Sequence, residues 1–198
     1  MTLDVRIHGR GGQGVVTAAE LLSLAAFDQG LHAQALPSFG SERTGAPVVA
    51  FCRIDEQPIR AHDPVDAPDL VVVQDPTLLH DADVLLGLAE DGLVIVNSSR
   101  SVAELETAGL RLGPGQRALT VPATDLAREH LGRAMPNTAL LGAVAAATGV
   151  VSLHAVRRAI AERFDSRGRL LVAANLRLAE DAHDMVIATQ EAHGAETA

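Results

Sequence analysis

Apolar residues fall into two alternating rhythms along the first two thirds of the chain. Runs that are apolar on successive positions, LVVVQ (70–74) and LVIVN (93–97), read as strands covered on both faces, as in a parallel sheet wrapped by helices. LDVRIHG (3–9), LHAQAL (31–36), PVVAFCRI (47–54) and RALTVP (117–122) bring the strand patterns to six. A helical pattern over 15–29 follows the first strand and stops at Gly30. Only Thr17, Glu20, Ser23 and Asp28 interrupt its apolar residues, so this helix is buried on more than one side, within its own layer or against another subunit.

After Pro122 the rhythm turns helical. TDLAREHLG takes Thr124 or its neighbour as cap, NTALLGAVAAATG is capped by Asn137 and stopped by Gly149, and SLHAVRRAIAERF is capped by Ser152. A last helix runs over about 170–190. Gly142 and Ala146, four apart, leave room for a second element to approach closely. The alternation predicts an α/β fold: a Rossmann-like layered domain with a largely parallel sheet and a helical C-terminal third, residues 1–198 forming a single domain. Asp55-Glu56-Gln57 can turn the chain into a short hairpin partner ending at Arg60, which would make one sheet edge mixed.

Composition removes several chemistries. The chain has 198 residues, no tryptophan or tyrosine and four phenylalanines, so an aromatic cage for a ligand is hard to build. Its 16 basic residues face 25 acidic ones, and the net charge of -9 opposes binding to nucleic acid or an anionic membrane. Every basic residue is an arginine, which excludes a Schiff base and the lysine of a P-loop. The one cysteine, Cys52, cannot supply the four ligands of a cubane iron–sulfur cluster, and its apolar neighbours suggest a buried, inert thiol. No apolar run approaches the roughly 20 residues of a spanning helix, and the chain opens directly on a strand without a signal segment. A cytoplasmic protein is expected.

The candidate chemistry begins in HGRGGQGVV (8–16). Gly9, Gly11 and Gly14 satisfy G-x-G-x-x-G between a strand and a helix, where backbone amides and the helix dipole can face a phosphate. Arg10 could add a bidentate contact. Dinucleotide binding also needs an acid about 20 residues on, to hold the ribose. LHAQALPSFG stands there instead, and the next acid is Glu42. The glycines could equally serve only to pack the helix against the strand. A second stretch, LPSFGSERTGAPVVAF, is a long loop with Gly40 and Gly45 as breakers and Ser41, Glu42, Arg43 and Thr44 between them. His8 is read as a locally hydrogen-bonded histidine, and Gln74-Asp75-Pro76 as either a ligand-facing strand end or a turn. Arg157, Arg158, Arg163, Arg167 and Arg169 form either a solvated helix face or a contact for an acidic neighbouring subunit.

HGRGGQGVVTAAELL and PSFGSERTGAPVVAF, followed by VVVQDPTLL and PNTALLGAVAAATGVVSL, closely resemble the gamma subunit, or gamma domain, of pyruvate:ferredoxin and other 2-oxoacid:ferredoxin oxidoreductases. The resemblance runs from about Val5 to about Phe164. It implies a subunit of an enzyme that decarboxylates a 2-oxoacid, with pyruvate the expected substrate, on thiamine diphosphate with Mg2+. Electrons pass through [4Fe-4S] clusters to ferredoxin, and an acyl-CoA is released. The family places thiamine on alpha and beta parts and clusters on beta and delta parts, so those subunits are the implied partners. The gamma part is linked to the CoA-entry region and carries no catalytic residue. Carried over position by position, the resemblance puts Gly9, Arg10, Gly11, Gly12, Gln13 and Gly14 in the loop nearest an anion or partner subunit. Ser41, Glu42, Arg43 and Thr44 fall in a second functional loop. The competing readings are a stand-alone Rossmann-type nucleotide-binding dehydrogenase and a scaffold whose glycine loop binds nothing.

Overall fold

A computed structural model of the chain describes residues 2–37, 45–61, 63–80 and 84–196, with side chains to 192. Six strands form one sheet: β1 (Leu3–Arg10), β2 (His32–Pro37), β3 (Pro47–Asp55), β4 (Leu70–Val73), β5 (Leu93–Asn97) and β6 (Arg117–Val121), in the order β2-β3-β1-β4-β5-β6. β1, β4, β5 and β6 run parallel, while β3 lies antiparallel between β1 and β2. The mixed edge is therefore present, with a different cause from the expected hairpin. β3 turns back from β2, and no strand follows Asp55 toward Arg60.

The helices are α1 (Val15–Asp28), α2 (Val102–Thr107), α3 (Ala123–Leu131), α4 (Asn137–Thr148), α5 (Leu153–Phe164) and α6 (Arg169–Glu196). One face of the sheet carries the large core. There Val5, Ile7, Ala50, Ile54, Val72 and Ile95 meet the apolar sides of α1, α4, α5 and α6. The other face carries a smaller core of Val71, Val73, Val94 and Val96 under α2 and the 3-10 turn Pro76–His80. Two cores on opposite faces explain why β4 and β5 are apolar on successive positions. Among the described residues no helix is long and apolar enough to cross a membrane.

Caps depart from expectation twice. α3 starts at Ala123 after Pro122, so Thr124 is its second residue. α4 starts at Asn137 itself, capped by Pro136 with no side-chain bond, because the Asn137 amide is turned under the glycine loop instead. Ser152 caps α5 as expected, accepting from the Ala155 amide at 3.2 Å. Missed in the sequence was α2, although Ser101 and Glu104 form a complete capping box around its start.

α1 packs against β1, β2 and β3 on one side and against α4 and α5 on the other, which accounts for its nearly continuous apolar surface. Phe27, 73% exposed, and Leu24 remain outside that packing.

α4 and α6 approach closely at Gly142. A Cβ at Gly142 would stand 1.9 Å from the Ala179 carbonyl oxygen, a backbone atom that cannot move alone. Gly142→Ala should therefore cost about 3 kcal/mol, read as a shift in the chemical-denaturation midpoint. Gly149→Ala adds a Cβ that meets nothing within 4 Å, at a left-handed φ of 65°, and should cost only about 1 kcal/mol. Equal costs would contradict this packing.

Candidate functional site

β1 runs one residue past its sequence pattern and takes in Arg10; Gly9 and Arg10 pair with Val48 and Pro47 of β3. The connection to α1 is thus only Gly11 to Gly14. Gly9 is needed for proximity: a Cβ there would lie 2.6 Å from Val15 Cγ2 and 3.1 Å from Gln74 Cβ. Gly14, the N-cap of α1, is needed for conformation and space together. Its φ is 76°, and a Cβ would fall 2.6 Å from Asn137 Nδ2.

A single carboxylate shapes this turn. Asp75, just beyond β4, accepts from Arg10 Nε and from Gln13 Nε2, both at 3.1 Å, through Oδ2. Its Oδ1 accepts from the Thr77 amide at 3.0 Å and hydroxyl at 2.6 Å. Burial raises the Asp75 pKa, but the Thr77, Gln13 and Arg10 contacts outweigh it and hold the carboxyl below its ordinary value. Gln13 closes the turn, its Oε1 accepting from the Arg10 amide at 2.7 Å. Arg10 also donates to the Gly45 carbonyl at 3.2 Å and to Thr77 Oγ1 at 2.7 Å. Arg10 is thereby engaged within the protein along its whole guanidinium.

Asn97 ties the neighbouring strand ends together. Its Nδ2 donates to the Gln74 carbonyl and to Thr124 Oγ1, both at 2.7 Å, and its Oδ1 accepts from the Thr124 amide at 2.9 Å. Sequence reasoning passed over Asn97. An amide closing an otherwise apolar strand, LVIVN, was the available signal.

The turn opens onto a cleft of about 390 Å³ between the start of α1 and the C-terminal helices. Gly11, Gly12 and Gly14 form one wall. Arg133, Arg163 and Arg167 face them from the α3–α4 connection, the end of α5 and the 3-10 turn after it. The expected basic cluster therefore divides. Arg157 pairs with Glu180 and Arg158 with Asp28, on helix surfaces, while Arg163 and Arg167 turn to the cleft. Arg133, from a different stretch of sequence, joined them only on folding. Ser41, Glu42, Arg43 and Thr44 lie outside the described residues. Gly45 and Ala46, which follow them, are bonded to the turn: the Gly11 amide donates to the Ala46 carbonyl at 2.9 Å, and the Gly45 amide to the Gly11 carbonyl at 3.2 Å.

In a dinucleotide fold the strand beside β1 is parallel to it and ends on the ribose-binding acid. Here that neighbour is β3, antiparallel, which brings its first residue Pro47 beside Arg10. β2, the next strand along the chain, is thus separated from β1 by an antiparallel strand, and the arrangement that the dehydrogenase reading requires is not formed.

Comparison with known proteins agrees with that exclusion. The family model described as pyruvate ferredoxin/flavodoxin oxidoreductase matches residues 4–185. The chain belongs to this family. It is 49% identical to the pyruvate/ketoisovalerate oxidoreductases common subunit gamma of Thermococcus kodakarensis, over 93% of this chain and 97% of that protein. Among solved structures, pyruvate oxidoreductase subunit PORC of Thermotoga maritima superposes with a TM-score of 0.80 at 35% identity, covering 92% of this chain and 96% of that one. A 2-oxoglutarate:ferredoxin oxidoreductase of Magnetococcus marinus, solved with 2-oxoglutarate, coenzyme A and succinyl-CoA bound, shares the fold with a TM-score of 0.76 at 17% identity. It matches 94% of this chain and 31% of that longer one. The layered α/β architecture expected from the sequence is thus that of the family.

Two other residues are settled by this family fold. Cys52 is fully buried in β3, and burial pushes its thiol far above the ordinary range, with the Asp4 charge adding to the effect. His8 accepts from Arg6 Nε through Nε2 at 3.0 Å, and the same guanidinium donates to the carbonyls of Val84 and Leu86. Burial first, and the Arg6 charge second, lower the His8 pKa from 6.5 to about 4. Folded, His8 stays neutral down to about pH 4; unfolded, it protonates near 6.5. Between those values the unfolded state binds the extra proton, so stability falls as the pH is lowered through that window, by up to about 3 kcal/mol. Denaturation midpoints measured from pH 7 to 4 should show this slope. His8→Gln, which keeps an acceptor toward Arg6 but cannot titrate, should flatten it, and an unchanged slope would contradict the assignment.

Proposed function

We propose that residues 1–198 act as one gamma-type domain, a noncatalytic subunit of a multisubunit thiamine diphosphate-dependent 2-oxoacid:ferredoxin oxidoreductase. The substrate in this reading is pyruvate, and the products are acetyl-CoA, CO2 and reduced ferredoxin. The observation that carries it is the 49% identity to a gamma subunit across 93% of this chain. The residue inventory supports it, since a chain with one cysteine, held fully buried, and no lysine has few groups for redox chemistry of its own.

In this reading alpha, beta and delta subunits are the partners, and they hold the thiamine diphosphate, Mg2+ and [4Fe-4S] clusters in the cytoplasm. Thiamine diphosphate supplies the electron sink for decarboxylation and the clusters carry the electrons away. This chain contributes shape and charge at the CoA side. Gly9, Arg10, Gly11, Gly12, Gln13 and Gly14 form the loop nearest the anionic co-substrate or a partner subunit, and Ser41, Glu42, Arg43 and Thr44 form the second loop. The fit rests on the turn itself. Gly12 and Gly14 have left-handed φ values of 95° and 76°, and the first turn of a 14-residue helix opens toward the cleft. Arg10 acts here by holding the turn through Asp75.

Reconstitution tests the proposal. Purified alone, the chain should turn over no pyruvate in the presence of CoA and a viologen dye. Coexpressed with thiamine-binding and cluster-binding chains from neighbouring reading frames, it should copurify with them and activity should appear. Turnover by the isolated chain, or failure to copurify, would contradict it.

A further inference from the structure

The two edges of the sheet are finished differently. β6 opens on the exposed Arg117, and its margin is flanked by α2 and by the far end of α6. β2 pairs with β3 alone among the described residues, so every second residue along it turns its N–H and C=O outward. Natural sheets blunt such an edge with charge, a bulge or a proline. Only Pro37, at the last position of β2, is of that kind. The register with β3 is unbroken from His32 to Pro37, and HAQALP holds no acid and no arginine. The stretch without either runs from Gln29 to Ser41, in a chain with 16 basic and 25 acidic residues.

The helix beside this edge is left open in the same place. α1 gives its buried sides to the sheet and to α4 and α5. Leu24 and Phe27, three apart and so on one face, stay 40% and 73% exposed. The chain passes from the end of α1 through Leu31 straight into β2, and the Leu31 amide donates to the Ala26 carbonyl at 3.2 Å. The exposed helix end and the free strand therefore form one margin of the molecule. An unblunted strand edge beside exposed apolar side chains is a surface suited to association.

We propose that this margin is a two-fold interface with a second copy of the chain, in which β2 pairs with β2 and α1 packs on α1. The inference goes beyond the gamma-subunit reading and does not depend on it. A strand paired with its own copy about an axis normal to the sheet is antiparallel to it, and both α1 helices then lie on the same face. β2 brings no like charges opposite one another. Paired strands stand about 4.8 Å apart, and a helix seated over β2 and β3 lies about 5 Å in from the axis. The two α1 helices would thus be about 10 Å apart, an ordinary packing distance. One operation joins the free strand edges and covers Leu24 and Phe27 together. A chain of net charge -9 repels its copy over most of its surface, and the margin without charges is where that repulsion is least.

Sedimentation equilibrium of the isolated full chain, paired with amide hydrogen exchange, tests this. Wild type should pass from monomer to dimer as its concentration rises. The outward amides between His32 and Leu36 should gain protection in step with the dimer, while those of β5 stay as they were. Phe27→Asp and Leu24→Glu should each weaken the dimer by about tenfold, and the double variant by about a hundredfold. Both positions are exposed, so the circular-dichroism melt, taken where wild type is monomeric, should not move. Leu170→Asp, at an exposed leucine on the start of α6, should leave the dimer as in wild type. A wild-type monomer up to about 100 µM, or a dimer that the double variant retains, overturns the proposal. Protection of β2 that arises only with the thiamine-binding and cluster-binding chains, without a dimer of the isolated chain, would give this edge to a strand of another subunit and overturns it as well.

Discussion

One carboxylate governs the geometry of the glycine turn. Asp75 lies just beyond β4 at the point where four donors converge, two from the turn and two from Thr77, and among the described residues it bonds both the Arg10 and the Gln13 side chains to the segment that follows β4. Glycines impose no shape by themselves, since their freedom is what lets the chain pass this point. Rigidity is supplied from the neighbouring strand. Charge-assisted bonds to a partly buried carboxylate are the strong kind, and the lowered pKa of Asp75 keeps them in place through the neutral range. Arg10 and Gln13 are accordingly best understood as braces, and the exposed amides of the turn as the surface they present.

Much of this was legible in the sequence, for a physical reason. Strands β4 and β5 announce themselves because burial on both faces leaves no polar position, and α1 because it lies between a sheet and two helices. The sheet order was less accessible. β3 inserts antiparallel beside β1, and nothing in PVVAFCRI marks direction, because alternation along a strand reads the same both ways. Asn137 resembled a cap because caps are chosen by side-chain chemistry; only the missing Cβ of Gly14 reveals that the amide has another place to go. Arg133 was invisible for the opposite reason, since its partners in the cleft lie about thirty positions away along the chain.

The fold also separates support from chemistry. Polar groups with demanding partners, such as Arg6 with His8 or Asn97 with Thr124, are spent on fixing loops and strand ends. Asn137, close to Gly14, and Gln74, close to Gly9, keep side-chain polar atoms that no hydrogen bond among the described residues satisfies. Phe27 and Leu24 leave an apolar margin on α1 outside the packing of this chain. That distribution suits a domain whose contribution is made inside a larger assembly, at a surface prepared in advance by its own hydrogen bonds.

The bracing role of Asp75 can be read directly from amide hydrogen exchange in an Asp75→Asn variant of the full chain. An asparagine replaces one acceptor oxygen with a donor amide, so it cannot serve the same four donors. Exchange at Gly11, Gln13 and Ala18, whose amides are bonded in the present turn, should speed up by at least about tenfold. Protection in β5 and α4 should be unchanged. Wild-type protection throughout the turn would mean that the glycine segment holds its shape without the carboxylate, and the account would be wrong at its base.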